Sequence, residues 1–348
     1  MLLLDTTTTE RYLRDRGELM GDESVSISEL AGGVSNQVLL VERGRGDRFV
    51  LKQAREQLRV QQEWKCDVRR IWREMDVLRL CGDILITSGQ GIETGIEATV
   101  PQILFEDRDN FCYAMSAAPA GHRTWKECLL SGQIDSAFGK VAGRMLGALH
   151  AGTWRSAPVA TALDDRSYFD ALRIDPYYRR VAQVHPQLRG ELAALIESVF
   201  SNRLSLVHGD FSPKNLLVSP AAMTLIDFEV GHYGDPAFDN GFLLAHLVLK
   251  TIRAESQFSE NLNLALSVWN AYREVLQLVA SQSEFAALEQ RTCLNLGACL
   301  LARVDGKSQV DYLSDAQRER TRKLAFKLLR NGYGTVSEAL NLLTAEPT

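Results

Sequence analysis

The chain has 348 residues, 45% hydrophobic and 24% charged, the composition of an ordinary globular protein with enough length for two domains and a sizeable core. A formal charge of -5 and a pI near 5.8 argue against a general nucleic-acid-binding surface, while leaving room for a local basic patch. The six cysteines form no Cys-x-x-Cys pair and no zinc-like cluster with histidine, so reduced thiols in a cytoplasmic protein are expected.

The N-terminal stretch MLLLDTTTTERYLRDRG lacks the basic start and long apolar core of a secretory signal. The apolar run from Gly241 to Val248 is too short to cross a membrane and contains His246. Neither a membrane nor a nucleic acid is expected as a partner, and oligomeric state is not readable.

Ser26 to Lys52 alternates with the period of a sheet. Val38 to Val41 forms one β-rich run and Phe49 to Leu51 another, with Arg43-Gly44-Arg45-Gly46-Asp47 between them as a hairpin turn. Ahead of the first run lies Ala31-Gly32-Gly33-Val34-Ser35-Asn36. Its paired glycines let backbone N–H groups come close to phosphate oxygens, or simply make a tight turn. The phosphate reading gains weight from Lys52, at the end of the next strand, and makes Gly32, Gly33 and Ser35 candidates for nucleotide contact. Lys52 shares a strand face with Val50. It is either a solvated edge residue or an ammonium turned toward phosphates and held by a carboxylate.

Val68, Ile71, Trp72, Met75 and Leu78 recur at helical spacing. Glu74 lies on the flank of their buried face, where a half-buried carboxylate calls for a cation. Glu63, the rival partner for Lys52, precedes the periodic stretch. From about Cys81 the pattern loosens, and Gly82, Gly89, Gly91 and Gly95 mark loops. Pro101 to Phe105 and Phe111 to Met115 read as strands. Ser116 to Gly121 has the composition of a connector between domains, whose backbone could also hydrogen-bond an adenine edge.

Ile134 to His150 is an amphipathic helix by its apolar spacing, with His150 as a structural residue favoured at the helix C-terminus. Tyr168 to Arg180, with Arg173, Asp175, Tyr177 and Tyr178, reads as a solvated helix-loop junction in preference to a substrate contact. Further on, Gly306-Lys307-Ser308 invites a Walker reading, but the motif's first glycine would fall at position 301, which is Leu301, so a P-loop is rejected. Arg303 and Lys307 either face a substrate or are surface charges beside a turn.

The segment from Leu206 to His246 carries most of the chemistry. It sets His208-Gly209-Asp210, Asn215 and Asp227 between short apolar runs, Leu204 to Val207, Leu216 to Val218 and Thr224 to Ile226. An Asp, an Asn five residues later, and an Asp after an apolar strand is how a phosphotransferase arranges a base and two magnesium ligands. Turn-forming Asp and Asn residues would explain each position singly, but not all three at this spacing. Asp239 precedes an apolar helix from Gly241 to Ile252 and either caps it or bonds the backbone of the loop at Asp210.

His208-Gly209-Asp210-x4-Asn215, Ile226-Asp227-Phe228-Glu229 and Gly234-Asp235-Pro236-x2-Asp239 resemble the aminoglycoside phosphotransferase and choline kinase-like family of small-molecule kinases, over roughly residues 25–310. Leu51-Lys52-Gln53-Ala54, Leu58-Arg59-Val60 and Phe228-Glu229 are similar to 5-methylthioribose kinases in particular. The resemblance implies an α+β, bilobal protein-kinase-like fold: an N-terminal lobe over 1–116, an antiparallel sheet with one helix, and a larger, mainly helical C-terminal lobe over 117–348. It implies Asp210 as catalytic base, Asn215 and Asp227 as Mg2+ ligands, Lys52 with Glu74 as the phosphate-binding pair, and ATP (or GTP) bound between the lobes near Met115 and Ala117. His-Gly-Asp in place of His-Arg-Asp, Phe228-Glu229 in place of Phe-Gly, and the lack of an Ala-Pro-Glu segment turn the expectation from a protein substrate to a small hydroxyl compound: an aminoglycoside, a sugar or an amino alcohol. The alternatives are a non-catalytic nucleotide-binding regulatory module of the same fold, or a 5-methylthioribose kinase-like sugar kinase.

Overall fold

The computed structural model describes residues 2–30, 36–55, 67–88 and 95–344. Their contacts form two compact units, one drawn from residues 1–82 and 100–120, the other from 83–99 and 121–348.

In the first unit the strands Val25–Glu29, Asn36–Arg43, Arg48–Ala54, Cys112–Ser116 and Ile103–Asp107 lie side by side in that order, antiparallel throughout. The hairpin at Arg43–Asp47 closes with Arg43 N donating to Asp47 O at 2.8 Å. The register sets Leu51 opposite Leu39 and Ala114. These residues join Val41 and Phe49 in a core completed by Tyr12 and Leu13 of the helix Thr9–Asp15, which sequence periodicity did not reveal. Because side chains alternate along a strand, Lys52 must face the opposite side from Leu51.

The helix Arg70–Ser88 runs on past Cys81, where the sequence pattern loosens. Ile71, Met75, Leu78, Cys81 and Leu85 are all buried, so Cys81 continues the apolar stripe as a small hydrophobe, and Gly82 sits inside the helix without ending it.

The second unit is mainly helical. The helices Ser136–Gly152 and Phe258–Leu276 pack closely along Gly139, Gly143 and Gly147, and a methyl group on Gly143 would collide with the Val268 carbonyl. Among the described residues, four helices begin with a Ser/Thr-x-x-Glu/Gln capping box, at Thr124, Ser281, Ser314 and Thr335. The helix Ala237–Arg253 is buried from Ala237 to Ile252 and lies against Gln282–Asp305. It starts four residues before the apolar run suggested, directly after Pro236, whose fixed backbone angle suits a helix entrance.

Short strands present the functional loop. Ser205–Val207 pairs antiparallel with His232–Gly234, and Leu216–Ser219 with Ala222–Leu225. Ala222–Leu225 also pairs in parallel with Glu97–Thr99.

Residues Asp170–Arg179 form a π-helix with Pro176 inside it and Ile174, Pro176, Tyr177 and Tyr178 buried. This corrects the reading of Tyr168 to Arg180 as a solvated junction. The wider winding departs from the 3.6-residue period, so the buried residues do not fall on an ordinary helical stripe.

Among the described residues no helix is long and apolar enough to cross a membrane. Cys81, Cys112, Cys128, Cys293 and Cys299 are free and buried; Cys66 lies outside the described residues.

Candidate active site

The loop after Ser205–Val207 is held from below by one carboxylate. Asp239 Oδ2 accepts from His208 N at 2.7 Å and Asp239 Oδ1 from Gly209 N at 2.8 Å. His150 Nε2 lies 3.3 Å from Oδ2 of the same residue, and His150 Nδ1 is 3.0 Å from the Tyr272 hydroxyl. Of the two roles read for Asp239, bonding the loop is the one present. Burial alone would push the Asp239 pKa up, but its hydrogen bonds with His150 and with the Gly209 N–H hold it below the usual range. His150 thus serves as a structural brace. Asp210 N donates to His208 Nδ1 at 3.2 Å, which fixes that nitrogen as an acceptor, and burial lowers the imidazole pKa so that the ring is kept neutral.

Asp210 is buried and carries an unusual number of partners. Asn215 Nδ2 donates to its carbonyl at 3.0 Å and to Oδ2 at 2.8 Å. Arg173 Nη2 and Lys214 Nζ each approach Oδ2 at 2.9 Å, and Arg173 Nε donates to Gly209 O at 2.7 Å. Burial raises the Asp210 pKa, but Arg173 and then Lys214 outweigh it, and the carboxyl ends below its ordinary value despite repulsion from Asp227. Asp210 in turn raises the pKa of Lys214. The result is a buried carboxylate biased toward its ionised form and held by three side chains. Arg173 and Lys214 contact the Asp210 carboxylate directly, and sequence alone assigns neither of them a role. Lys214 is four residues from Asp210, and an adjacent cation in a loop of this kind was the available signal.

Asn215 and Asp227 stand on either side of the hairpin. The Asn215 carbonyl accepts from Ile226 N at 3.0 Å, which ties the loop to the end of Ala222–Leu225. With Nδ2 committed to Asp210, the amide oxygen Oδ1 is the remaining donor atom of Asn215. Asp227 has φ +72°, a left-handed conformation unfavourable for a residue with a side chain and characteristic of functional positions. Its charge acts on Asp210, Arg173 and Lys214. An amide oxygen and a carboxylate are both hard oxygen donors of the kind Mg2+ takes, so these two residue types fit that ion.

Asp235 is buried and gripped by Arg291 through Nε at 2.7 Å and Nη2 at 3.1 Å. Burial nonetheless raises its pKa. It also accepts from Ala237 N at 3.1 Å, making it a brace for the helix entrance.

In the first unit Lys52 Nζ and Glu74 Oε1 are 2.5 Å apart and both residues are buried. Of the two readings of Lys52, a solvated edge residue is excluded, and Glu74 is its partner. Met115 pairs with Val50 and Ile103 at the end of its strand. Ala117 follows it, half-buried, and the next carbonyl, that of Ala118, accepts from Arg48 Nη2 at 2.9 Å. Gly32, Gly33 and Ser35, and also Glu63, lie outside the described residues. Arg303 Nη1 bonds the Tyr177 hydroxyl at 3.0 Å and Ser308 Oγ at 2.8 Å, while Lys307 pairs with Asp175 at 2.9 Å in an exposed contact.

A buried Asp–Asn pair on a loop between short strands, with an antiparallel sheet and a mainly helical unit, defines a protein-kinase-like fold. The model of the phosphotransferase enzyme family matches residues 26–278, and the chain belongs to that family. A methylthioribose kinase from Erwinia tasmaniensis is 28% identical over 125 residues, 33% of this chain and 31% of that protein, so the match spans less than a third of that relative. Among solved structures, choline kinase from Cryptosporidium parvum Iowa II aligns with a TM-score of 0.59 at 12% identity, covering 98% of this chain and 99% of the other. An amicoumacin kinase solved with AMP-PNP, Ca2+ and Ami aligns with a TM-score of 0.51 at 16% identity, over 94% of this chain and 95% of the other.

Proposed function

We propose that the protein is an ATP-dependent (or GTP-dependent), magnesium-requiring kinase that phosphorylates a hydroxyl group of a small molecule. The observation that carries this reading is the buried Asp210 carboxylate, fixed by Asn215, Arg173 and Lys214 on a loop braced by Asp239. Phosphoryl transfer has a loose transition state, so the protein's work is positioning and charge stabilisation. Asp210, held ionised, accepts the acceptor hydroxyl's hydrogen bond and orients its oxygen. With a lowered pKa it is a weak base, suited to taking the proton late in the reaction. Mg2+, held by Asn215 and Asp227, would neutralise phosphate charge. Lys52, fixed by Glu74, is the side chain assigned to the nucleotide phosphates. The bound AMP-PNP of the amicoumacin kinase is consistent with a nucleoside triphosphate as donor.

The test is Asp210→Asn, which keeps the shape and removes the charge. Turnover is expected to fall by about 100-fold to 10,000-fold, while the thermal shift produced by Mg2+ and AMP-PNP persists. Turnover close to wild type would remove Asp210 from the reaction.

A further inference from the structure

A second group of charges lies in the helical unit, away from the loop's own hydrogen bonds. Lys250 is 2% exposed and His246 7% exposed, one turn apart on the helix Ala237–Arg253. The Lys250 ammonium donates to the His246 carbonyl at 3.1 Å and sits 5.7 Å from the centre of the Tyr312 ring. Among the described residues no carboxylate pairs with it. His246 Nε2, Arg303 Nε and the Tyr312 hydroxyl are each buried without a hydrogen-bond partner. Tyr177 links them, with its ring 6.0 Å from the Arg303 guanidinium and 5.8 Å from Phe242, which in turn packs 5.0 Å from His246.

The electrostatics match this geometry. Burial drives the Lys250 pKa down to about 7, and the charges acting on it are Lys126, Arg303 and Arg253. Burial also takes His246 well below its ordinary value, and the charges acting most on it are Arg303, Lys250, Lys214 and Lys126. Asp311 is an acid that acts on Tyr312. A buried ammonium with a half-buried guanidinium acting on it and no counter-charge is destabilising unless something negative joins them. The cluster is tied to the reaction centre by Lys214, whose ammonium contacts Asp210 while its charge acts on His246, and by the π-helix that carries both Tyr177 and Arg173.

Resting on the kinase reading above, we propose that Lys250, His246, Arg303 and Tyr312 receive the anionic end of the acceptor, so that the compound phosphorylated carries a carboxylate or a phosphate ester beside its hydroxyl groups. Lys250 and Arg303 supply charge, and His246 Nε2 and the Tyr312 hydroxyl supply neutral hydrogen bonds. A cationic acceptor, such as an aminoglycoside or an amino alcohol, is disfavoured by the same charges.

The experiment compares four compounds of one skeleton: glucose, glucosamine, gluconate and glucose 6-phosphate. Binding is measured by calorimetry on the full chain, and acceptor-dependent release of nucleoside diphosphate is measured in parallel. One anion or both should bind at least about tenfold more tightly than glucose or glucosamine, and which one binds separates a carboxylate site from a phosphate site. Lys250→Met should weaken that binding about tenfold or more and shrink the anion's advantage over glucose. Arg303→Gln, at a residue that is only half-buried, guards against a folding defect in the first variant and should weaken the same anion. Failure of both anions to bind at millimolar concentration, a preference for glucosamine, or unchanged anion binding in both variants overturns the proposal. Anion binding that depends on Lys250 but gives no diphosphate release with any compound leaves the anion site standing and tells against the kinase reading. Release driven by glucose alone does the reverse.

Discussion

The two ends of the helix Ala237–Arg253 hold buried charge in opposite ways. At the first turn Asp239 is fully buried, yet its oxygens meet two backbone N–H groups and His150, and a carboxylate there is also favoured by the helix dipole. At the last turn Lys250 is as deeply buried. The dipole favours it too, but its charged neighbours are cations and its hydrogen bond goes to its own helix. Equal burial with unequal compensation separates a brace from a receptor. The satisfied end fixes the loop that bears Asp210, and the unsatisfied end keeps a capacity for negative charge that the fold itself does not use.

Removing the satisfied charge should have the largest effect. Asp239→Ala leaves the His208 and Gly209 N–H groups buried without an acceptor and is expected to lower stability by about 3–5 kcal/mol. Urea denaturation measures this, and turnover should fall with it as the Asp210 loop loosens. A loss under about 1 kcal/mol would mean that the loop is held by other contacts.

The opposite end should respond with the opposite sign. Lys250→Met replaces an uncompensated cation by an apolar chain of similar length and is expected to raise stability by about 1–4 kcal/mol near neutral pH. The pH dependence follows from a folded pKa of about 7 against an ordinary 10.5. Above 10.5 the lysine is neutral in both states and its charge carries no penalty. As pH falls toward 7 the unfolded chain takes up a proton that the folded chain refuses, so the wild type loses stability. Below about 7 both states are protonated and the penalty is constant. The gain from Lys250→Met should therefore be largest at and below pH 7 and shrink toward pH 10.5. Denaturation midpoints across that range check it, and a gain independent of pH would mean that packing, not charge, separates the two ends of the helix.

How much of this was legible in the sequence depended on whether a contact was local. The strand pattern of the first unit, the Asp210, Asn215 and Asp227 spacing and the pairing of Lys52 with Glu74 rest on period-2 and period-3.6 repeats and on short separations, which one chain displays directly. Arg173 contacts a carboxylate 37 residues later, since 210 − 173 = 37. It does so from a π-helix interrupted by Pro176, a winding that periodicity tuned to the α-helix cannot recognise. Lys250 and His246 were hidden differently: they stand in a run so apolar that it read only as core, and the fact that matters, the missing counter-charge, is a property of side chains brought in from Lys126, Arg303 and Tyr312. Asp239 was placed by sequence at the right helix, with its two roles open until the backbone of His208 and Gly209 was in view.

The smallest expected effect tests whether the satisfied end depends on the loop's shape as well as on its charge. Gly209 has φ +77°, where a side chain costs about 1–2 kcal/mol, and a Cβ there would come 2.9 Å from Val230 Cγ2 and 3.1 Å from the Val230 carbonyl. The valine methyl can turn aside, but the carbonyl can move only with the turn before His232–Gly234, where His232 Nδ1 lies 3.0 Å from it. Gly209 presents its N–H to Asp239 and its carbonyl to Arg173, so any shift to relieve the contact pulls on both. Gly209→Ala is expected to lower stability by about 2 kcal/mol and to lower turnover further than that loss of folded protein explains, because Arg173 and Asp210 move with the loop. Unchanged turnover at full folding would show that the Asp239 carboxylate alone sets the loop, and that its left-handed turn is incidental to the site.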